Sequence, residues 1–168
     1  SVSSYGDMIT NEPRMPAYAE ALRQAVTPGC TVIDIGAGTG IFSLLACQYG
    51  AGTVTAIEPA DAVLLLNETA LANGFAEKIN IVQGLSTEHV PGRRADVIVS
   101  DIRGVMPLFE HHIATIVDAR ERLLAPGGTL IPMRDTLRVA LASHPEGYSP
   151  CEEPWLRNPY QLDLRAGQ

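Results

Sequence analysis

Three groups of residues in this 168-residue chain have types and spacings that could do chemistry. The first is Gly36-Ala37-Gly38-Thr39-Gly40, which follows Val32-Ile33-Asp34-Ile35 and leads into the apolar run Ile41 to Tyr49. A strand that passes through glycines into a helix presents backbone N–H groups to a ligand. The second is Glu58, at the end of Val54-Thr55-Ala56-Ile57, where a carboxylate can accept hydrogen bonds from a ribose diol. Together these two features ask for a nucleoside-containing ligand. The third is the pair Asp101 and Glu110, nine residues apart around Ile102-Arg103-Gly104-Val105-Met106-Pro107-Leu108-Phe109. Two opposed carboxylates can hold a planar guanidinium through charge-assisted, partly bidentate bonds. They could also localise its positive charge and leave the other terminal nitrogen more nucleophilic. The plainer alternative is a strand-end acid and an acidic residue in the first turn of a helix.

The choice of nucleoside turns on Asp34 and Ile41. A nicotinamide dinucleotide site wants Gly-x-Gly-x-x-Gly, and Ile41 stands in its third glycine position. Asp34 would also place an acid near an anionic pyrophosphate. The same acid suits a cationic ligand such as S-adenosylmethionine, with its sulfonium and α-amino group. The run from Asp34 to Gly40 resembles motif I of class I S-adenosylmethionine-dependent methyltransferases, with Glu58 as the acidic ribose binder. The alternative is a strand-turn-helix whose glycines only make the turn.

The positioning elements follow from hydrophobic period and punctuation. Residues 1–15 are polar and broken by Pro13, with Pro16 opening a helix to about Val26 that turns Ala17, Ala19, Ala21, Leu22 and Ala25 inward. Strands are expected at 31–35, 53–57, 79–83, 96–100 and 129–131, and a further one at Leu137 to Leu141. Helices are expected from about Thr39 to Tyr49, from Pro59 to the Asn73-Gly74 stop, and from Leu108 to Leu124. Ile113, Ile116, Val117, Ala119 and Leu123 would form the buried side of the last of these. Gly84 to Arg94 reads as a loop or a poor helix. This alternation predicts an α/β fold, a doubly wound and mainly parallel sheet, with Gly36–Gly40, Glu58 and Asp101 all at carboxyl ends of strands.

Beyond the glycine turn, the loop from Asp101 to Glu110 resembles the double-acid loop of protein arginine methyltransferases, in which two glutamates flank a Trp-Met-Gly segment. Gly6-Asp7-Met8-Ile9 with Arg14 is similar to that family's amino-terminal segment, and Ala119-Arg120 through Gly127-Gly128 to Pro132 to its passage into the fifth strand. The resemblance covers roughly residues 5–141. It implies a Rossmann-like methyltransferase using S-adenosylmethionine. Arg14 would bind the cofactor's carboxylate, Asp34, Gly36 and Gly38 would shape its pocket, and Glu58 would take the ribose. Glu88, or Thr87 one residue earlier, would lie near the adenine amine. Asp101 and Glu110 would be the catalytic acids, with Met8 and Arg103 on the substrate side. The acceptor would be an arginine side chain of a protein or peptide, or alternatively another protein or small-molecule amine. A cofactor-binding fragment without activity is the remaining reading. Departures are visible: Asp101 is one methylene shorter than glutamate, and Arg103 replaces a methionine, where it could itself pair with Asp101 or Glu110. Residues 1–133 would be the cofactor-binding domain and 134–168 the start of a truncated C-terminal β-barrel or an extended tail, so the chain reads as a fragment. The family's dimer contacts would lie outside it, which leaves the oligomeric state open.

The bulk numbers set the remaining bounds. Hydrophobic residues make up 46% and charged residues 18%, ordinary for a globular domain, and no run approaches a membrane span. A net charge of −7 disfavours binding to a nucleic-acid backbone and suits cationic partners. Cys30, Cys47 and Cys151 form neither a disulfide framework nor a metal-ligand pattern, so no metal is expected. Cys30 and Cys47 are expected to pack as small buried residues. His111 and His112 are expected to be solvated surface residues. No secretory signal is visible, which makes the cytoplasm the expected compartment.

Overall fold

Short runs rich in Val, Ile and Thr, which favour the pleated chain over the helix, build five parallel strands. These are β1 (Thr31–Ile35), β2 (Thr53–Ile57), β3 (Ile79–Val82), β4 (Ala95–Ser100) and β5 (Leu124–Ile131). The computed structural model describes residues 2–104 and 111–140, with side chains from Tyr5 onward. The strand order is β3-β2-β1-β4-β5, so connections run outward from β1 in one direction and then reverse between β1 and β4. That reversal is the switch point at which an open α/β sheet leaves a crevice. The register aligns Ile35 with Ile57 and with Ser100, so three strand ends finish level there. They are tied across the edge: Gly36 N donates to Ile57 O at 2.9 Å, Glu58 N to Val82 O at 3.1 Å, and Ser100 Oγ to Ile35 O at 3.0 Å. The doubly wound parallel expectation therefore holds.

The helices are α1 (Val2–Ile9), α2 (Met15–Ala25), α3 (Ile41–Gln48), α4 (Ala62–Ala72) and α5 (His112–Asp118), the last passing into a π-helical turn, Ala119–Leu123. Alternation along the strands divides the core between two faces. Val32, Val54, Val97 and Val99 pack with Leu22 of α2, Phe42 and Ala46 of α3, and Leu66 and Ala70 of α4. Ile33, Ile35, Ile57 and Ile98 pack on the other face with Ala119 and Leu123. Cys30 and Cys47 are buried free thiols, as expected.

Several sequence expectations are corrected. Helix α1 forms in the polar first residues, where composition points to no regular element. β5 begins at Leu124, well before 129, because a register shift between Ala95 and Val97 lets Ala125–Gly128 bulge within the strand. Ile113 is half exposed rather than buried, whereas His112 beside it is 7% exposed. The last turns of this helix are anchored by Ala119 and Leu123, and the π-helical turn changes which residues precede them on the same side. The start of that helix at Leu108 lies outside the described residues. Residues 137–140 carry no regular secondary structure, so the strand expected there is not formed over those positions, and Leu141 lies outside the description. Residues 1–135 form one compact unit and 136–168 a second.

Candidate functional site

The glycine turn closes the carboxyl end of β1. Gly36, Gly38 and Gly40 all have positive φ, at 72°, 54° and 88°, a conformation glycine adopts without the Cβ penalty. Space also excludes side chains here. A Cβ on Gly38 would sit 2.6 Å from the Tyr5 ring of α1, and one on Gly36 would collide with Ile102. Beneath the turn Asp34 is wholly buried; Ser43 Oγ of α3 donates to its Oδ2 at 2.7 Å, while Oδ1 has no hydrogen-bond partner. Burial pushes the Asp34 carboxyl up to about 7, with Glu58 adding to the rise and the Ser43 hydrogen bonds opposing it. Glu58, at the end of β2, accepts from Gly38 N through Oε2 and from Ala60 N through Oε1, both at 2.9 Å. Its carboxylate is thus locked to the turn. Tyr5 packs beside this pair, and burial, then Glu58, raise its phenol above the ordinary value.

A second cluster lies where β4 ends. Arg14, just before α2, places Nη1 2.6 Å from Asp101 Oδ2, while its Nη2 donates to Met8 O at 3.1 Å. Tyr18 OH of α2 donates to Asp101 Oδ1 at 3.1 Å. Its ring stacks on Phe42 with centroids 4.6 Å apart. Burial, then Asp101, raise the Tyr18 phenol, so it remains a donor. The sequence leaves Arg103 able to pair with Asp101 or with Glu110, and Glu110 lies outside the described residues. Among the described residues it turns instead to Asp135, Nε to Oδ1 at 2.7 Å, and to Tyr18 OH at 3.2 Å. Arg14, Tyr18, Asp101, Arg103 and Asp135 line a common cavity of about 660 Å³. The carboxylate of Asp101 thus lies in a site that already accepts one guanidinium, and the second cation of the loop is neutralised elsewhere.

A further cleft of about 350 Å³ at the ends of β1 and β2 is lined by Ile35, Gly36, Ile57, Pro59, Leu85 and Ile102 with Ser86 and Thr87, and from the α5 side by His111, Ala114 and Thr115. Its apolar walls suit a flat base. Thr87 lines it, whereas Glu88 is exposed and does not contribute to its wall. Met8 is 40% exposed and offers its carbonyl to Arg14. Glu110 lies outside the described residues. His112 corrects the surface expectation: it is buried with an unpartnered Nδ1, and burial, then Arg103, hold its imidazole below the usual value. Among the described residues no three His, Cys, Asp or Glu side chains cluster to hold a metal. Sequence reasoning missed Tyr5, Tyr18, Ser43 and Asp135. Tyr18 could have been found from its place one turn into the helix that Arg14 precedes; Asp135, 32 residues from Arg103, carries no local signal.

Comparison with known proteins fits this geometry. A profile of the family described as ribosomal protein L11 methyltransferase (PrmA) matches residues 18–132. "Probable protein arginine N-methyltransferase 6" of Arabidopsis thaliana is 35% identical over 167 residues, covering 98% of this chain and 38% of that protein. The chain thus spans about two fifths of that relative's length. The structure of Arabidopsis thaliana protein arginine methyltransferase 10, in an open conformation, superposes with a TM-score of 0.73 at 28% identity, over 78% of this chain and 38% of that one. A Trypanosoma brucei arginine methyltransferase 1 enzyme-prozyme complex with S-adenosylhomocysteine has a TM-score of 0.80 at 24% identity, over 99% and 53%, and shows the shared fold. With a family profile matched over more than half of its length and the glycine turn, acidic strand ends and sheet order all in place, the chain belongs to the methyltransferase family that profile describes, among the class I S-adenosylmethionine-dependent methyltransferases, and within that class it is similar to the protein arginine methyltransferases.

Proposed function

We propose that this chain binds S-adenosylmethionine across the carboxyl edge of the sheet and directs its methyl group to the guanidinium of a protein or peptide arginine. The observation that carries the acceptor reading is Arg14 seated 2.6 Å from Asp101. A guanidinium already fits that carboxylate, with Tyr18 fixing its other oxygen. The cofactor reading fits the donor set: the unpartnered Asp34 Oδ1 offers an acceptor for a cationic group, Glu58 lies at the reach of a ribose diol, and the cleft from Ile35 to Thr87 takes the base. By the sequence resemblance, Arg14 would bind the methionine carboxylate. When bound, S-adenosylmethionine supplies an electrophilic methyl on a sulfonium that leaves as a neutral thioether. Asp101, with Glu110 by the sequence resemblance, would hold the acceptor guanidinium and keep its charge on the bound side, leaving the free nitrogen more nucleophilic and aimed at the methyl group, its proton lost after transfer. Alignment and electrostatic placement are the main contributions of the protein.

A second reading, an amine acceptor on another protein, is favoured by the shorter Asp101 and by the profile match to a ribosomal protein methyltransferase. Radiolabel transfer from S-adenosylmethionine to arginine-rich and to lysine-rich peptides separates the two. Transfer to arginine that falls at least about tenfold in Asp101→Asn, a loss of about 1.4 kcal/mol, is the expected result; undiminished transfer refutes the acid assignment.

A further inference from the structure

The loop between β3 and β4 forms one wall of the base-binding cleft, yet it has no regular secondary structure. Its local backbone bonds are few, Glu88 N to Leu85 O at 3.1 Å and His89 N to Ser86 O at 3.3 Å. Its main tether is Arg122, from the π-helical turn after α5. Arg122 Nη2 donates to Ser86 O at 2.6 Å and Nη1 donates to His89 O. Asp118, one turn earlier, accepts from Nε at 3.0 Å and from Nη2 at 2.8 Å, which fixes the plane of the guanidinium. A fork that grips the carbonyls of Ser86 and His89 fixes the backbone between them, and with it Thr87 at the cleft wall. The remaining walls combine the apolar side chains of Ile35, Ile57, Pro59, Ile102 and Ala114, which recognise a flat ring without distinguishing its substituents, with His111 and Thr115 at the start of α5. Beside His111 and Thr115, the polar side chains at the cleft are Ser86 and Thr87 of the loop that Arg122 holds.

We propose that Arg122 is a positioning residue for cofactor specificity, clamping the loop from Ser86 to His89 so that its polar groups read the exocyclic amine of an adenine. The inference rests on the cofactor reading above. Nothing about the glycine turn or the acidic strand ends requires an arginine at this place, and its bonds go to the backbone of a different element. A lysine has three donors on a single nitrogen, so it could reach these acceptors only without the fixed plane and bidentate pairing with Asp118 that the guanidinium fork has.

Calorimetric titration with S-adenosylhomocysteine and S-inosylhomocysteine, which differ at that exocyclic group, provides the test on the unaltered protein, Arg122→Gln and Arg122→Lys, with thermal melting as the check of folding. In Arg122→Gln the Kd for S-adenosylhomocysteine is expected to rise about tenfold, while that for S-inosylhomocysteine changes less than about threefold, so the preference collapses. Arg122→Lys should recover part of it. Equal weakening for both ligands, or none for either, overturns the proposal. If Arg122→Gln does not fold, Asp118→Asn, which keeps the arginine but frees its plane, is expected to give the same collapse at smaller size, and an unchanged preference there overturns the proposal. Failure of the unaltered protein to bind S-adenosylhomocysteine would instead remove the cofactor reading itself.

Discussion

Asp34 concentrates the electrostatic tension of the site. Its carboxyl has no exposure and one oxygen lacks a partner, so burial favours the protonated form and pushes it up to about 7. The folded state therefore holds a proton that the unfolded chain releases near pH 4. Stability from this group is fully present below about pH 4 and is lost as pH rises toward 7. Melting of the ligand-free protein should show that decline, and Asp34→Asn should flatten it. The same substitution removes an acceptor for a cationic ligand group, so calorimetry should find S-adenosylmethionine weakened by about tenfold or more. Arg14 and Asp101 give a second residue-level prediction. Because Arg14 is paired with Asp101, Asp101→Asn releases it without emptying the cofactor site. Cofactor affinity should be kept or improved in Asp101→Asn while methyl transfer falls, whereas Arg14→Ala should weaken the cofactor. Equal loss of cofactor binding in both variants would refute the division of roles.

At the scale of elements, α1 and α2 are the covers of the cofactor edge. Tyr5 of α1 packs on Gly38, whose φ is 54°. Gly38→Ala imposes both an unfavourable backbone region and a clash with that ring, and should cost roughly 1–3 kcal/mol in urea unfolding. The core side of α2 rests on Leu22, which is fully buried. Leu22→Ala should cost roughly 2–5 kcal/mol and loosen the helix that carries Tyr18 toward Asp101. Tyr18→Phe separates those effects. It keeps the stack on Phe42 but removes the hydroxyl shared by Asp101 and Arg103. Transfer should drop in Tyr18→Phe with the melting temperature nearly unchanged.

For the whole chain, the net charge of −7 and the proposed role of Asp101 together predict a preference for cationic peptides. Arginine-rich substrates should show a KM that rises several-fold between low and high salt, with a Debye length of about 10 Å at 0.1 M, while S-adenosylhomocysteine binding inside the cleft changes less. A salt-independent KM would argue that the charge serves solubility alone. The chain spans about two fifths of the length of its Arabidopsis thaliana relative.

The alternation of strands and helices, the cofactor edge and the acids on it could be read from local pattern. Val-Ile-Asp-Ile before three spaced glycines, and a second strand ending in Glu58, are signals carried by neighbouring residues, and period 2 against period 3.6 separates strand from helix without tertiary help. What the tertiary structure alone decided were the partners. Arg103 goes to Asp135, Arg14 to Asp101, Tyr18 OH to both sides of that network, and Arg122 to carbonyls 33 and 36 residues away. The burial of His112 and the exposure of Ile113 were likewise set by packing, in a helix that ends in a π-helical turn. Local pattern gives the period of an element and the residues at its ends. Which charged side chain meets which depends on how separate elements are placed in space, and no spacing along the chain records that distance.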